Sequence, residues 1–473
     1  MHIATLLTAL NSIRLKRASI VQASEWDRAM TPSREFVQRP GARARRPRPT
    51  RWLVAALCAV LSALFFAPAA AAAPSAPAAA TTHTALVPPP DQDPFYAVPA
   101  DLSQVPDGTV LASRRVAAIA LVVPIPANAW QVKYKTIDQR GRPSAFVTTV
   151  LVPLTPWQGG GARPLLSYQV AMDALSTKCA PSFVMRAGLG AAATAGLTVL
   201  LSNATTETIN IVQAVQRGFT VAVPDWEGPK AEWLGAEGAA RGVLDGIRAV
   251  QNFQPADVRN SAPIGLAGYS GGALATDWAM QMQPAYAPEL RFVGTALGGT
   301  PASLKGSIAA FATNPIGRGA VPLLLAAMQR SYPQWHIEQY LSAAGRTAVA
   351  NSQQDCLIDA LIKNDAVDPT TYEAYPGALF NNPRIDPLYA SISPLDYPGK
   401  PRTPILSYHA LADEFAPIGF MRELAARYCV EGLPVNVATS PIGEHIIYVL
   451  LGFPTALNYI ADRFRGTPAL NGC

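Results

Sequence analysis

Pro263-Ile264-Gly265-Leu266-Ala267-Gly268-Tyr269-Ser270-Gly271-Gly272-Ala273-Leu274-Ala275-Thr276-Asp277 is the stretch from which the rest of the chain is read. A short apolar run, Ile264 to Ala267, ends in Gly268-Tyr269-Ser270-Gly271-Gly272 and passes into small residues, Ala273 to Met280, that suit a helix. This is a strand, a tight turn and a helix with a serine at the apex. So sharp a turn strains its apex residue, and the positions two before and two after must be small for strand and helix to pass closely. Gly268 and Gly272 meet that need, and Gly271 brings a backbone N–H free to approach a ligand. G-x-S-x-G occurs often by chance, so the pattern reads as a nucleophile elbow only if its surroundings agree.

The surroundings alternate between strand and helix. Val116 to Val123, Trp130 to Thr136 and Ala145 to Leu151 are predicted strands, with Asp138-Gln139-Arg140-Gly141 as a hairpin turn. Pro164 to Gln169 and Phe219 to Val223 read as buried strands, Ile209 to Arg217 and Gly242 to Gln251 as helices, and Phe292 to Leu297 as the strand after the elbow helix. Such alternation predicts an α/β domain with a mostly parallel central sheet and helices on both faces. From 303 to 396 strand signal disappears, and helices are predicted at Val321 to Arg330, Trp335 to Ala344 and Asp355 to Lys363. Ninety residues far exceed an ordinary connection, so 303–396 is a helical insertion. A strand at Thr403 to His409, a helix at Ile418 to Tyr428, a strand at Val435 to Ala438 and a helix at Pro454 to Phe464 complete the pattern.

A serine nucleophile needs a base, and the base needs an acid; in this architecture they follow in the order Ser, Asp/Glu, His. Of the histidines beyond the leader, His83 falls in a linker, His336 in the insertion and His409 within a strand. His445 is left, in the loop between the last strand and the last helix, as the candidate base. The acid belongs after the preceding strand, where His409-Ala410-Leu411-Ala412-Asp413-Glu414-Phe415-Ala416-Pro417 is similar to the H-G-x-x-D-x-x-V-P segment of many hydrolases. Asp413 matches the acid, and Glu414 reads as a surface charge. The N–H of Gly271 is one candidate oxyanion donor, and the second should come from Tyr168 to Asp173, after an earlier strand.

Composition supports a globular exported protein. Of 473 residues 49% are hydrophobic and 15% charged, which argues against disorder over most of the length. The net charge of +6 is misleading as a sign of an anionic partner: residues 1–73 carry 11 of the 38 Lys and Arg and 3 of the 32 Asp and Glu. The remainder, with 27 basic and 29 acidic residues, has a net charge of −2, and nothing in it points to nucleic acid. Within 1–73, Arg43, Arg45, Arg46, Arg48 and Arg51 precede the apolar run Trp52 to Phe66 and the small residues Ala67 to Ala73. The run is too short for a membrane span and reads as a cleaved export signal, leaving no transmembrane span in the mature chain and an extracellular or cell-envelope location. Pro47 and Arg48 disfavour a twin-arginine signal, and Met30 offers an alternative start. Residues 74–92 are an Ala/Pro-rich linker, followed by a domain in two parts, 93–302 and 397–473. Beyond the leader Cys179, Cys356, Cys429 and Cys473 remain; their spacing does not suit zinc, and their even number suggests two disulfides with three connectivities open.

Several further segments carry a resemblance: Asp93-Pro94-Phe95-Tyr96, Leu165-Leu166-Ser167-Tyr168-Gln169, Cys179-Ala180-Pro181-Ser182, Pro224-Asp225-Trp226-Glu227-Gly228-Pro229 and Val243-Leu244-Asp245-Gly246-Ile247-Arg248-Ala249. With the elbow and the two later segments they cover roughly residues 90 to 473. The sequence resembles the secretory lipases of the lipase A type from fungi and actinobacteria. The resemblance implies an α/β-hydrolase fold with a helical lid, an oxyanion-loop aspartate falling on Asp173, and the pairs Cys179–Cys356 and Cys429–Cys473. A charged carboxylate cannot donate, so Asp173 would act through its backbone N–H or as a protonated acid. Asp225, Glu227, Asp245 and Arg248 read as braces, and the apolar run Val321 to Met328 as core, lid underside or acyl tunnel.

The expected function is that of a secreted serine carboxylester hydrolase acting on acylglycerols or similar lipid esters, with transient contact to a lipid interface through the lid. It needs no metal and no organic cofactor. An acyltransferase with the same triad, or a catalytically silent lipid or cell-envelope binding protein, are the rivals.

Overall fold

The computed structural model describes residues 86–473. The leader and most of the linker expected at 74–92 lie outside the described residues. Regular structure is already present before Asp93: Pro89 and Pro90 are buried, and Pro90–Gln92 forms a 3-10 turn.

Nine strands form one sheet in the order β1 (Val110–Val116), β4 (Ala127–Ile137), β5 (Pro143–Pro153), β7 (Thr220–Pro224), β6 (Leu165–Gln169), β8 (Ile264–Tyr269), β9 (Phe292–Gly298), β10 (Ile405–Ala410) and β11 (Val435–Ser440). β2 (Ile119–Ala120) and β3 (Val123–Pro124) make a separate small hairpin. Strands from β7 to β11 run parallel, whereas β1, β4 and β5 add antiparallel neighbours at one side. The helices are α1 (Pro181–Ala187), α2 (Ala191–Ala195), α3 (Asn203–Thr206), α4 (Thr208–Gln216), α5 (Ala236–Gln251) and α6 (Gly271–Tyr286). After β9 come α7 (Leu304–Thr313), α8 (Val321–Ser331), α9 (Ala343–Asn351), α10 (Leu357–Lys363) and α11 (Asp386–Ile392), and then α12 (Ile418–Val430), α13 (His445–Leu451) and α14 (Phe453–Phe464).

Alternation along the parallel strands builds two apolar layers, because successive side chains leave a strand on opposite faces. Leu165, Ile264 and Leu266 join the layer containing Val243, Ile247 and Trp278 of α5 and α6. Leu166, Tyr168 and Ala267 join the other, with Ile211 of α4 and Leu457 and Ile460 of α14. β6 lies between β7 and β8, so the chain reverses its direction of progress across the sheet there. In parallel sheets ligands bind outside the carboxyl ends of strands at such a switch point. The loops after β6, β8 and β10 carry Asp173, Ser270 and Asp413 to that edge.

Several predicted elements differ in detail. The strand predicted from Val116 to Val123 is a turn instead: β1 ends at Val116, and Leu121, at φ 56°, reverses the chain between β2 and β3. The helix predicted at Trp335 to Ala344 is broken. His336 takes a left-handed conformation (φ 46°), Leu341 bridges Glu373, and Ser342 caps α9 by accepting from the Gly345 N–H. α5 starts six residues before the predicted Gly242, because Ala236 to Ala240 are too uniformly small to show helical periodicity. Val321 to Met328 is buried throughout, in the same apolar layer as α5 and α6. Among the described residues no helix is long and apolar enough to cross a membrane.

Candidate active site

Ser270 occupies the junction of β8 and α6 with φ 51° and ψ −121°, a conformation costing a non-glycine residue roughly 1–3 kcal/mol. Its N–H is tied to the Gly298 carbonyl (2.8 Å) and its carbonyl accepts from the Leu274 N–H (3.0 Å). The flanking glycines are sterically required: a Cβ on Gly268 would lie 2.3 Å from the Gly272 carbonyl oxygen, and one on Gly272 would lie 1.9 Å from the Gln169 carbonyl oxygen. The second contact sets the elbow directly against the end of β6, where the loop carrying Asp173 begins.

His445 reaches Ser270 across the sheet edge, with Nε2 2.7 Å from Oγ. On its other side Nδ1 is 2.8 Å from both carboxylate oxygens of Asp413. A carboxylate only accepts, so Nδ1 carries the proton and Nε2 is left as the acceptor for the serine hydroxyl. Burial alone would raise Asp413, but the charge and hydrogen bond of His445, the charge of His409 and the Ala416 N–H together hold it below the usual carboxylate range. Burial alone would lower His445, and the carboxylates of Asp413, Glu414 and Asp173 more than offset this, holding it above the ordinary imidazole value. That is the electrostatic setting in which an imidazolium can form and persist.

Two expectations about this region need correction. His445 is not in a loop but is the first residue of α13, which Glu444 caps by accepting from the Ile446 and Ile447 N–H groups (2.7 and 3.1 Å). Glu414 is not a free surface charge: half-buried, its Oε2 accepts from the His445 N–H at 3.0 Å. Two further groups brace the base and the acid, and of these only His409, the histidine of the H-G-x-x-D-like segment, had a sequence signal. Tyr269 Oη donates to the His445 carbonyl (2.8 Å), and buried His409 donates through Nε2 to the Ala416 carbonyl (2.7 Å), 3.3 Å from Asp413 Oδ2. His409 thus closes the Asp413 turn, the local reason for a histidine at the end of β10.

Asp173 follows β6 with φ 47°, and its carboxyl lies over Gly271: a Cβ there would sit 1.9 Å from Asp173 Oδ1. Oδ2 accepts from Asn203 Nδ2 (2.9 Å), while buried Oδ1 has no partner. Burial is the main cause that raises Asp173 to about 6, opposed by the charge of His445, the Asn203 hydrogen bond and the nearby Trp233 side chain. The loop is braced from below by Glu207, which accepts from the Ala171 N–H (2.9 Å) and the Tyr168 hydroxyl (2.5 Å), and which burial raises to about 8. The insertion meets this loop through two backbone hydrogen bonds, Leu175 N–H to its Asp355 O (2.8 Å) and its Leu357 N–H to Asp173 O (3.0 Å), beside the Cys179–Cys356 disulfide. Arg330 of α8 adds hydrogen bonds to the Leu175, Lys230 and Ala231 carbonyls. Cys429–Cys473 closes the second disulfide.

The remaining polar residues are braces. Asp225 accepts from the Ser182 N–H and hydroxyl, Glu227 from the Ala174 N–H, and Asp245 pairs with Arg248 (2.8 Å). Asp277 is held by Gln281 and Tyr428 inside the core. Ser270, His445, Asp413, Gly271 and Asp173 therefore converge at the carboxyl edge of β6, β8 and β10.

A family model described as secretory lipase matches residues 194–472. The chain is 34% identical over 385 residues to a protein of Mycobacterium tuberculosis named a probable inactive lipase, covering 80% of this chain and 83% of that one. It is 31% identical to lipase 10 of Candida albicans, over 81% of this chain and 83% of the relative. The X-ray structure of Candida antarctica lipase A in its closed state superimposes with a TM-score of 0.72 at 28% identity, covering 82% of this chain and 89% of that one. The fold is the α/β-hydrolase fold.

Proposed function

The chain belongs to the secretory lipase family, and on that premise we propose that it is a secreted serine carboxylester hydrolase that cleaves acylglycerols or related lipid esters through an acyl-enzyme. The observation that carries the reading is the unbroken relay Ser270 Oγ to His445 Nε2 at 2.7 Å and His445 Nδ1 to Asp413 at 2.8 Å.

In this mechanism Ser270 Oγ attacks the ester carbonyl carbon while its proton passes to His445 Nε2. The carbonyl π electrons move to oxygen, and the oxyanion is met by the Gly271 N–H and by a proton on Asp173 Oδ1. As the tetrahedral centre collapses, the C–O bond to the alcohol breaks and the leaving oxygen takes the proton from Nε2. A water molecule then repeats the sequence on the acyl-enzyme, giving the free acid and restoring Ser270. Asp413 holds the Nδ1–H tautomer and stabilises the imidazolium without itself taking the proton. The helical insertion 303–396 serves as the lid and offers the surface that meets a lipid interface. Its Phe311 stacks on Phe415 (ring centroids 4.4 Å apart), and Phe415 in turn meets the edge of His445. Movement of the insertion would thus be felt next to the base.

The relative named probable inactive favours one competing reading, a silent hydrolase scaffold that binds lipid without turnover. A fluorophosphonate probe separates the two. We expect labelling of wild-type Ser270, none in Ser270→Ala, and hydrolysis of p-nitrophenyl and glycerol esters reduced about 10³–10⁴-fold in Asp413→Asn, which lacks the correct imidazole tautomer. A folded wild-type sample that neither labels nor hydrolyses esters would establish the silent reading.

A further inference from the structure

We propose that Glu414 is a second positioning carboxylate for His445, anchoring the backbone of the base while adding its negative charge to the field in which the imidazolium forms. The inference rests on the hydrolase reading above. His445 opens α13, so its N–H has no partner inside the helix. Glu414 Oε2 takes that N–H at 3.0 Å, and Glu444 takes the next two. Two carboxylates therefore saturate the start of α13, where the helix dipole favours negative charge.

The arrangement comes from adjacent residues with divided tasks. Asp413 turns inward to the His445 ring, and Glu414 meets the backbone of the same residue. Tyr269 holds the His445 carbonyl from the opposite side, so the base is tied at N–H, C=O and Nδ1 while Nε2 stays with the serine. Such fixation keeps Nε2 within reach of Oγ through two successive proton transfers.

The groups facing His445 are Asp413 and Glu414 from the turn after β10 and Asp173 from the loop after β6. Behind Asp413 lies His409, itself reached by the charge of Arg422 on α12, and Glu444 faces Glu414 from the cap of α13. Glu414 is thus one of three carboxylates that favour the imidazolium, and it is the one that touches neither the ring nor the space above Ser270. Burial raises Glu414 above the usual range, the His445 N–H opposes this, and Glu444 adds to it.

Glu414→Gln keeps an acceptor for the His445 N–H and removes the charge. Loss of a nearby opposite charge lowers an imidazole pKa, so in an Asp173→Asn background, where His445 titrates without Asp173, the acid limb of the kcat/KM profile on a p-nitrophenyl ester should move to lower pH by roughly half to one unit. A purely mechanical role for Glu414 would leave that limb in place. In parallel, a titration of the ¹³C-histidine-labelled protein by NMR, with His445 assigned through Ser270→Ala and His445→Gln samples, should show the same downward shift of His445. Coincident profiles and an unmoved His445 resonance would overturn the proposal. The NMR arm needs no turnover: if wild type labels with no fluorophosphonate and cleaves no ester, the hydrolase reading has failed, and a shifted or unshifted His445 still decides the role of Glu414. Should Glu414→Gln not fold, Glu414→Asp withdraws the charge by one methylene and should move the limb in the same direction by less; an unmoved limb there would also overturn it.

Discussion

Tyr269 Oη donates to the carbonyl oxygen of His445 at 2.8 Å, so the residue directly before Ser270 holds the backbone of the residue that faces Ser270 from another helix. The elbow therefore carries the serine and one anchor for its partner on the same two consecutive residues. Tyr269→Phe removes a buried donor and leaves the carbonyl unsatisfied, which should cost about 1–3 kcal/mol in urea unfolding. Steady-state kinetics should show kcat falling severalfold with KM little changed, because the loss affects alignment of the base and not substrate contacts. An unchanged kcat would show that Asp413 and Glu414 suffice to align His445.

Asp173 links activity to pH. Its carboxyl is raised to about 6, so the proton needed on Oδ1 is present below that value and lost as pH rises through it. His445 must be neutral for the same turnover, so the two groups titrate as a pair and the kcat/KM profile should be bell-shaped. In Asp173→Asn the side-chain oxygen can keep the Asn203 hydrogen bond, which places Nδ2 where Oδ1 was. An amide donor does not titrate, so the alkaline limb should disappear in this variant. Asp173→Ala should lose about 10²–10³ in kcat where Asp173 is protonated, and the gap to wild type should close as pH rises. If the alkaline limb persists in Asp173→Asn, the donor is the backbone N–H.

Gly271 and Gly272 should respond differently to the same methyl group. At Gly271 the obstacle is the Asp173 carboxyl, 1.9 Å away, a side chain able to swing aside. Gly271→Ala keeps the backbone N–H and should fold, with Tm close to wild type, while hydrolysis falls at least about 10²-fold because the methyl group displaces the Asp173 carboxyl. At Gly272 the obstacle is the Gln169 carbonyl, also 1.9 Å away, which belongs to the backbone of β6. Gly272→Ala should yield little soluble protein, and a well-folded sample would contradict the packing described.

The two disulfides should also separate by function. Cys179–Cys356 spans 177 residues and lies beside the backbone hydrogen bonds that join Asp173 and Leu175 to Asp355 and Leu357; Cys429–Cys473 spans 44. Replacing either pair by serine should cost about 2–5 kcal/mol in unfolding experiments. Only the Cys179/Cys356 replacement should also lower kcat, because it frees the insertion from the oxyanion loop. Equal kinetic effects would mean that Arg330 and the backbone bridge already hold the loop.

Much of the site was legible because its constraints are local. Ser270, Gly268 and Gly272 announce themselves through a turn that tolerates only small neighbours, and Asp413 and His445 through their order along strands that alternate cleanly. Glu414 and Tyr269 were not legible. Each acts through a backbone atom of another segment, and a hydrogen bond to a main-chain group places no demand on the sequence of its partner. The broken helix around His336 was hidden for a related reason, since the left-handed residue and the Leu341 to Glu373 bridge depend on a segment more than thirty residues away.

The amino-acid sequence by itself determined the alternating α/β order, the place of the elbow and the identity of the serine, acid and base candidates. These follow from period-2 and period-3.6 apolar patterning and from glycine sterics, which operate within a few residues. Tertiary structure alone decided that Glu414 belongs to His445, that Asp173 Oδ1 is left unpartnered over Gly271, and that Arg330 of the insertion reaches the Leu175 carbonyl. Those relations depend on which chain segments meet at the carboxyl edge of β6, β8 and β10, and burial at that meeting point is what moves the proton affinities of their side chains.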